Sequence, residues 1–338
     1  EEPGLIGSTH YGETFAEQLQ KEALVYLNVD SSVAGSLNAT FLVEASGSMA
    51  AVLQEASKQV PHPTKENTTV YDTWTNPTPY PIGAGSDYVV FIDRLGIPSS
   101  SMGWSGSYGV YHSIYDSFYW MENYGDFEYF KACTQVWGLA AIKFADTPVV
   151  PYDWDSYVKE LEQYHKEASA EWKTAFLDDD SEKLSDIESA IDRFSIAASK
   201  VKEQIQQGNF AEDKEKLTEL NTRQIQTERE FLYADGLPMR PWFRHVLLAP
   251  GMYDGYGSQT FPGLSYAIQK GDKSLAENQA EIIRQRIRAA GNRLQGIEKS
   301  PVPVVLGICI GILLLLILVG IVIHYFYQKR SRNYESVE

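Results

Sequence analysis

Cysteine is nearly absent: Cys133 and Cys309 are the only two in 338 residues. That excludes a small disulfide scaffold and a four-cysteine zinc site. Basic residues are also scarce. Lys and Arg total 29 against 45 Asp and Glu, a formal charge of −16. Such a chain is a poor general binder of nucleic acid, because neutralising phosphates needs clustered Lys and Arg. No G-x-S-x-G elbow occurs, so nothing supports a nucleophilic serine hydrolase. No P-loop occurs, and the stretch from Gly83 to Tyr88 lacks the third glycine of a dinucleotide fingerprint. There is no evident internal repeat and no long low-complexity segment. The chain starts without Met and without a charged-then-apolar leader, in mid-motif, as a fragment would.

What is present is able to fold. The chain is 43% hydrophobic and 22% charged, unlike a disordered acidic polypeptide. Its 21 Tyr imply a large core whose polar tips need partners. Residues 302–323 carry no charge, and at 22 residues they exceed the roughly 20 that cross a bilayer as a helix. We expect a membrane helix at 302–324. Lys329, Arg330 and Arg332 follow at once, which puts the tail at 325–338 in the cytoplasm. Everything before the span then faces the lumen or the outside. Glycosylation sequons at Asn38 and Asn67 agree with that orientation.

The rest divides near residue 150. Before it, short β-rich runs alternate with turns and amphipathic stretches, the mark of an α/β domain. Residues 23–28, ALVYLN, read as a buried strand; residues 88–92, YVVFI, suit a strand or a helix start equally. Residues 78–81, Gly83 and Gly85 mark a loop. After it, Leu184, Ile187, Ile191, Phe194, Ala197, Val201 and Ile205 recur at helical steps. A helix bearing Leu217, Leu220 and Phe231 is expected to stop at Gly236 and Pro238. A last helix covers 276–294.

Chemistry is concentrated in three places. Glu1 and Glu2 open the chain, before a Gly-rich turn and a helical stretch through Phe15, Leu19 and Glu22. Asp30 follows the strand ALVYLN, at the strand end where α/β folds hold ligands and metals. Tyr111 and His112 lie in an aromatic run, with Asp116 one helical turn on and suited to fixing the imidazole tautomer. Carboxylates and an imidazole bind zinc, and a further Glu can act as base. The groups lie 28 and 82 positions apart, so spacing alone leaves structural roles open.

The ordered motifs EEPGLIGS, YLNVDSS, YDTWT, GAGSDYVVF, DRLGIPS, YHSIYD, DGLPMRPWFRHVLLAP and TFPG resemble the transferrin-receptor-like zinc peptidase family that includes glutamate carboxypeptidase II. The resemblance implies an α/β zinc-exopeptidase domain, N-terminally truncated, over 1–150. An α-helical dimerisation domain over 155–298 and one transmembrane helix follow. It implies two zinc ions per full-length subunit, a peptide substrate, and a homodimer formed through the helical domain. By the same resemblance Glu1 is the general base, Glu2, Asp30 and His112 are zinc ligands, and Tyr111 stabilises the tetrahedral intermediate. Gly85, Ser86, Asp87 and Tyr256 line the substrate cleft. The family's remaining His and bridging Asp ligands lie upstream of its double Glu. The chain is therefore expected to be inactive by itself.

Departures from the family bear on specificity. The Lys that pairs with Tyr256 is replaced by Gly255. Ser101 and Gly103 stand where the family's arginines lie. No cation is left there to select glutamate, so neutral or apolar peptides are expected. Glu13 matches one calcium ligand and His10 replaces another. The alternative is a non-catalytic transferrin-receptor-like binding or sorting protein.

Overall fold

Alternation along Thr40–Ala45 buries Phe41, Val43 and Ala45 and turns Leu42 and Glu44 outward. That period of two is the signature of a strand packed on one face. The computed structural model describes residues 4–36, 38–177, 181–208, 210 and 213–297. The first half holds α1 (Ile6–Thr14), α2 (Ala16–Glu22), β1 (Tyr26–Asn28), β2 (Val33–Ala34), β3 (Thr40–Ala45), α3 (Ala50–Gln59), α4 (Val70–Thr73), β4 (Ser99–Ser105), α5 (Phe118–Tyr124) and α6 (Phe127–Asp146). β4 is the strand that all the others join. β1 runs parallel against Ser99–Ser101, β2 parallel against Trp104–Ser105, and β3 antiparallel against Ser100–Ser105. α3 and α6 cover the sheet with Val52, Leu53, Ala132, Cys133 and Val136.

The second half is mostly helical: α7 (Trp154–Phe176), α8 (Glu182–Gln207), α9 (Lys214–Thr227), β5 (Leu248–Pro250), β6 (Ser258–Thr260), α10 (Pro262–Gln269) and α11 (Lys273–Gln295). The periodic set on α8 is buried from Leu184 to Val201, and Ile205 is partly buried. α8 and α11 approach closely at Gly291, where a Cβ would lie 3.4 Å from Phe194 Cα. One apolar core runs from Phe41 of the sheet to Leu294 of α11. Described residues up to Gly296 form one packed unit.

Several local expectations change. The strand at 23–28 shrinks to β1: ahead of it, side chains hold the carbonyls of Ala23 and Leu24. Tyr152 Oη donates to Leu24 O at 2.6 Å and Trp137 Nε1 to Leu27 O at 3.1 Å. Residues 88–92 are helical and widen into a π turn over Val90–Arg94. The opening helical stretch breaks at Phe15 into α1 and α2. α9 stops at Thr227, and Phe231 lies in a following 3₁₀ turn, Glu228–Phe231. Among the described residues no helix is long and apolar enough to cross a membrane. The span expected at 302–324 and the tail at 325–338 lie outside the described residues.

Arg229 joins the two halves. Its Nε donates to Gln20 O at 2.8 Å and its Nη2 to Ala23 O at 2.7 Å. Nη1 turns back to Ile225 O within its own half. A guanidinium fills such a fork because its donors are fixed in one plane. Arg229→Ala strands the Ala23 carbonyl and leaves Gln20 O with only the longer bond from Gln226 Nε2, at 3.3 Å. We expect a loss of about 1–3 kcal/mol, the cost of one group left unpaired. Urea midpoints measure it, and a change below about 0.5 kcal/mol contradicts the assignment.

Candidate active site

Asn28 is the buried last residue of β1. Its Nδ2 donates to Ser86 Oγ at 3.2 Å and lies 3.4 Å from Ser101 Oγ. Ser86 Oγ donates in turn to Asp30 Oδ2 at 2.7 Å. The relay uses one carboxylate oxygen and fixes the orientation of Asp30, which is exposed at the strand end. The chain turns sharply just after it, with Ser31 left-handed at φ 52°. β4 leaves room for that turn through Gly103. A Cβ there would lie 3.0 Å from Ser31 O and 3.1 Å from Ser32 O. Any side chain at position 103 would therefore press on this turn.

Ser86 stands on a loop that needs glycine. Gly83 and Gly85 have φ of 141° and 94°, which other residues rarely adopt. The helical half holds the loop from the other side. Ser258 Oγ donates to Ile82 O at 2.9 Å, and a Cβ on Gly85 would lie 3.6 Å from Tyr256 Cδ1. Tyr88 Oη packs against Ala84 O and lies 3.2 Å from Glu44 Oε2. Burial raises the Glu44 pKa, and the Tyr88 hydrogen bond offsets part of that rise. Asp87 has one buried oxygen with no hydrogen-bond partner among the described residues.

Tyr111 and His112 occupy an exposed turn, with their rings stacked at 3.9 Å and His112 at φ 57°. The His112 ring lies 6.5 Å from that of Tyr256. The structure therefore links Asp30, Ser86, Gly85, Tyr256, His112 and Tyr111 in one chain of neighbours. Asp116 is not one helical turn from His112, because residues 109–116 form turns rather than a helix. Its carboxylate accepts from Tyr108 Oη instead. Glu13 accepts from Trp242 Nε1 at 2.7 Å, and His10 is exposed. Asn38 and Asn67 both sit in exposed left-handed turns, at φ 55° and 53°. Glu1 and Glu2 lie outside the described residues.

A cavity of about 690 Å³ opens beside Gly4 and Leu5, which follow the double Glu in the chain. Gly85, Arg240, Gly255 and Tyr256 share its wall. A second hollow of about 170 Å³ is lined by Asp30, Glu44, Ser101 and Gly103. Sequence reading passed over Arg240, Asn28, Ser258 and Glu44. Arg240 falls inside the motif DGLPMRPWFRHVLLAP, but only the fold brings it to Gly85. Asp30 and His112 are donor types that zinc accepts. Among the described residues, however, no three His, Cys, Asp or Glu gather closely enough to hold a metal. The described residues alone do not make a complete zinc site.

A mixed sheet with a fixed acid at a strand end, flanked by a helical half that shares its cavity, defines a two-part α/β architecture. Residues 1–131 match the profile described as Peptidase family M28, and residues 182–295 that of the transferrin receptor-like dimerisation domain. The chain is 32% identical over 296 residues to the "Probable glutamate carboxypeptidase LAMP1" of Arabidopsis thaliana, covering 85% of this chain and 42% of that protein. It is 30% identical over 329 residues to "Aminopeptidase NAALADL1" of Rattus norvegicus, covering 90% and 43%. It is 26% identical over 302 residues to the "Vacuolar protein sorting-associated protein 70" of Saccharomyces cerevisiae, covering 81% and 37%. The chain belongs to the transferrin-receptor-like zinc peptidase family. It spans about two fifths of the length of these relatives.

The two glycines give a direct check on the site geometry. A Cβ on Gly255 would meet nothing within 4 Å, whereas one on Gly103 meets two carbonyl oxygens. Gly103→Ala should cost about 1–3 kcal/mol through overpacking, and Gly255→Ala less than about 0.5. Thermal unfolding of both variants measures this, and equal costs contradict the close approach at Gly103.

Proposed function

We propose that the protein is a metallopeptidase that shortens peptides outside the cytosol. Glu2, Asp30 and His112 would hold zinc, two ions per subunit once the upstream ligands of the family are supplied. Zinc when bound would polarise the peptide carbonyl and make water acidic enough to attack near neutral pH. The other steps belong to side chains of this chain. Glu1 would accept the proton of the attacking water and pass it to the leaving amine. The Tyr111 hydroxyl would donate to the carbonyl oxygen as negative charge grows there. Ser86 would keep Asp30 aimed, so that its carboxylate need not reorganise during the reaction. Gly85, Ser86, Asp87 and Tyr256 would border the substrate. The observation that carries the proposal is the Asn28–Ser86–Asp30 relay, a carboxylate fixed from behind by a loop residue whose neighbour Gly85 lines the larger cavity.

The helical part, residues 155–298, would pair with a second copy, a reading supported by the dimerisation-domain match at 182–295. Residues 302–324 would anchor the chain in a membrane with the tail in the cytoplasm. Asn38 and Asn67 would carry glycans, and both are exposed. A second reading is a non-catalytic binding or sorting protein. The sorting-associated relative favours it, as does the lack of three gathered donors among the described residues. Metal content separates the two readings.

In an active preparation, Glu1→Gln should leave zinc content unchanged and cut turnover by roughly 10²–10⁴, the scale for a lost general base. His112→Ala should lose zinc together with activity. Near-normal turnover in both variants eliminates the peptidase reading. For topology, protease added to intact cells should digest the chain up to residue 298 and spare a tag at Glu338. A tag cut from outside reverses the orientation.

A further inference from the structure

The outer face of the sheet carries the smaller hollow, of about 170 Å³, next to Asp30. Strand alternation explains what lines it. Leu42 and Glu44 point outward from β3, and the register sets them opposite Gly103 and Ser101 of β4. Directly opposed residues share a face. Two small residues on β4 therefore leave the space, and Leu42, Glu44 and the exposed Tyr80 border it. Ser101 also pairs with Asn28 of β1, so the hollow adjoins the relay that aims Asp30.

Asp30 and Glu44 are the only charged residues among the described residues that line it. In the proposed peptidase Asp30 is engaged by the metal. Glu44 then faces the hollow without a cation. Among the described residues its carboxylate accepts from Tyr88 Oη alone, at 3.2 Å. No positive charge lowers its pKa: desolvation raises it, and the Tyr88 hydrogen bond offsets part of the rise. The charges acting on Tyr88 are likewise carboxylates, those of Glu44, Asp93 and Asp30. A carboxylate held between protein walls without a counter-ion gains from a cationic partner.

We propose that Glu44 selects a lysine or arginine side chain on the peptide residue that carries the scissile carbonyl. The proposal rests on the peptidase reading and adds a specificity to it. The residue whose carbonyl lies at Asp30 is the one whose side chain reaches the hollow. Its methylene stem lies along Leu42 and the Tyr80 ring, and its charged head meets Glu44. This goes further than the loss of cations at Ser101 and Gly103. Lost cations remove a preference for acidic side chains, whereas an unmatched carboxylate reverses it.

The test compares N-acetyl-Lys-Leu, N-acetyl-Gln-Leu and N-acetyl-Glu-Leu in the zinc-loaded full-length protein, together with the same dipeptides bearing free amino termini. Calorimetric binding of these peptides to the 338-residue chain is run alongside. Lys should exceed Gln by roughly tenfold in kcat/KM, about 1.4 kcal/mol at the transition state, and Glu should fall below Gln. The preference should shrink at high salt. Glu44→Gln should erase it, mainly through KM. Leu42→Arg sets a guanidinium beside Glu44 at an exposed position, and should both erase it and raise Glu. If Glu44→Gln fails to fold, the wild-type panel and Leu42→Arg still decide. Turnover without a preference for Lys over Gln overturns the proposal and leaves the peptidase reading standing, as does a Lys preference that survives Glu44→Gln. Absence of turnover for every peptide rejects the peptidase reading. Tighter binding of the Lys peptide that depends on Glu44 then keeps the cation site, and equal binding of Lys and Gln rejects both.

Discussion

The glycine loop at residues 83–85 must be held from both sides for the site to exist. Its backbone angles are open to few residues besides glycine, so the loop has little stability of its own. From the sheet, Asn28 and Asp30 engage Ser86. From the helical half, Ser258 fixes Ile82 and Tyr256 packs on Gly85. Remove either support and the opposite one loses its purpose. Asp30 would lose the donor that aims it, and Tyr256 would lose the surface that seats it.

The seam between the halves is therefore part of the site. Arg229 ties the 3₁₀ turn to the end of α2. Below the loop, the Asp93 carbonyl accepts from the backbone N–H groups of Arg244 and His245, 2.8 and 3.0 Å away. His245 reaches the buried Glu228, which also accepts from Tyr157 Oη at 2.7 Å. These bonds join α7, the 3₁₀ turn and the segment leading into β5. They carry the rigidity of the helical bundle to Arg240 and Tyr256 at the cavity. Buried polar groups joined in this way fix one arrangement, because an unpaired alternative is costly.

How much of this the sequence reveals depends on the distance over which each feature is decided. The register of α8 is decided locally, and the steps from Leu184 to Val201 match its buried face. The strand at 23–28 could not be bounded from sequence. Its start is set by Tyr152, more than a hundred residues away, which takes the Leu24 carbonyl. The same reason hid the relay behind Asp30, since Asn28 and Ser86 are 58 residues apart. Asp116 illustrates the opposite error. Four-residue spacing suggests a shared helix face, but the left-handed backbone at His112 breaks that geometry. Arg240 was printed inside a recognised motif and still passed unnoticed. Its place on the cavity wall beside Gly85 comes only from the fold. The substitutions at Gly103 and Gly255 were legible as lost charges. Only the fold separates them, one pressed against carbonyls and the other open.

The central proposal is that Asp30 and His112 hold a common metal ion, with the relay behind Asp30 keeping its carboxylate aimed. Anomalous scattering at the zinc absorption edge, from crystals of the protein grown with zinc, tests it without reference to turnover. The account predicts a peak within bonding distance of both the Asp30 carboxylate and the His112 imidazole, with Ser86 still bonded to Asp30. Zinc bound elsewhere, or no zinc beside an otherwise unchanged relay, would contradict it.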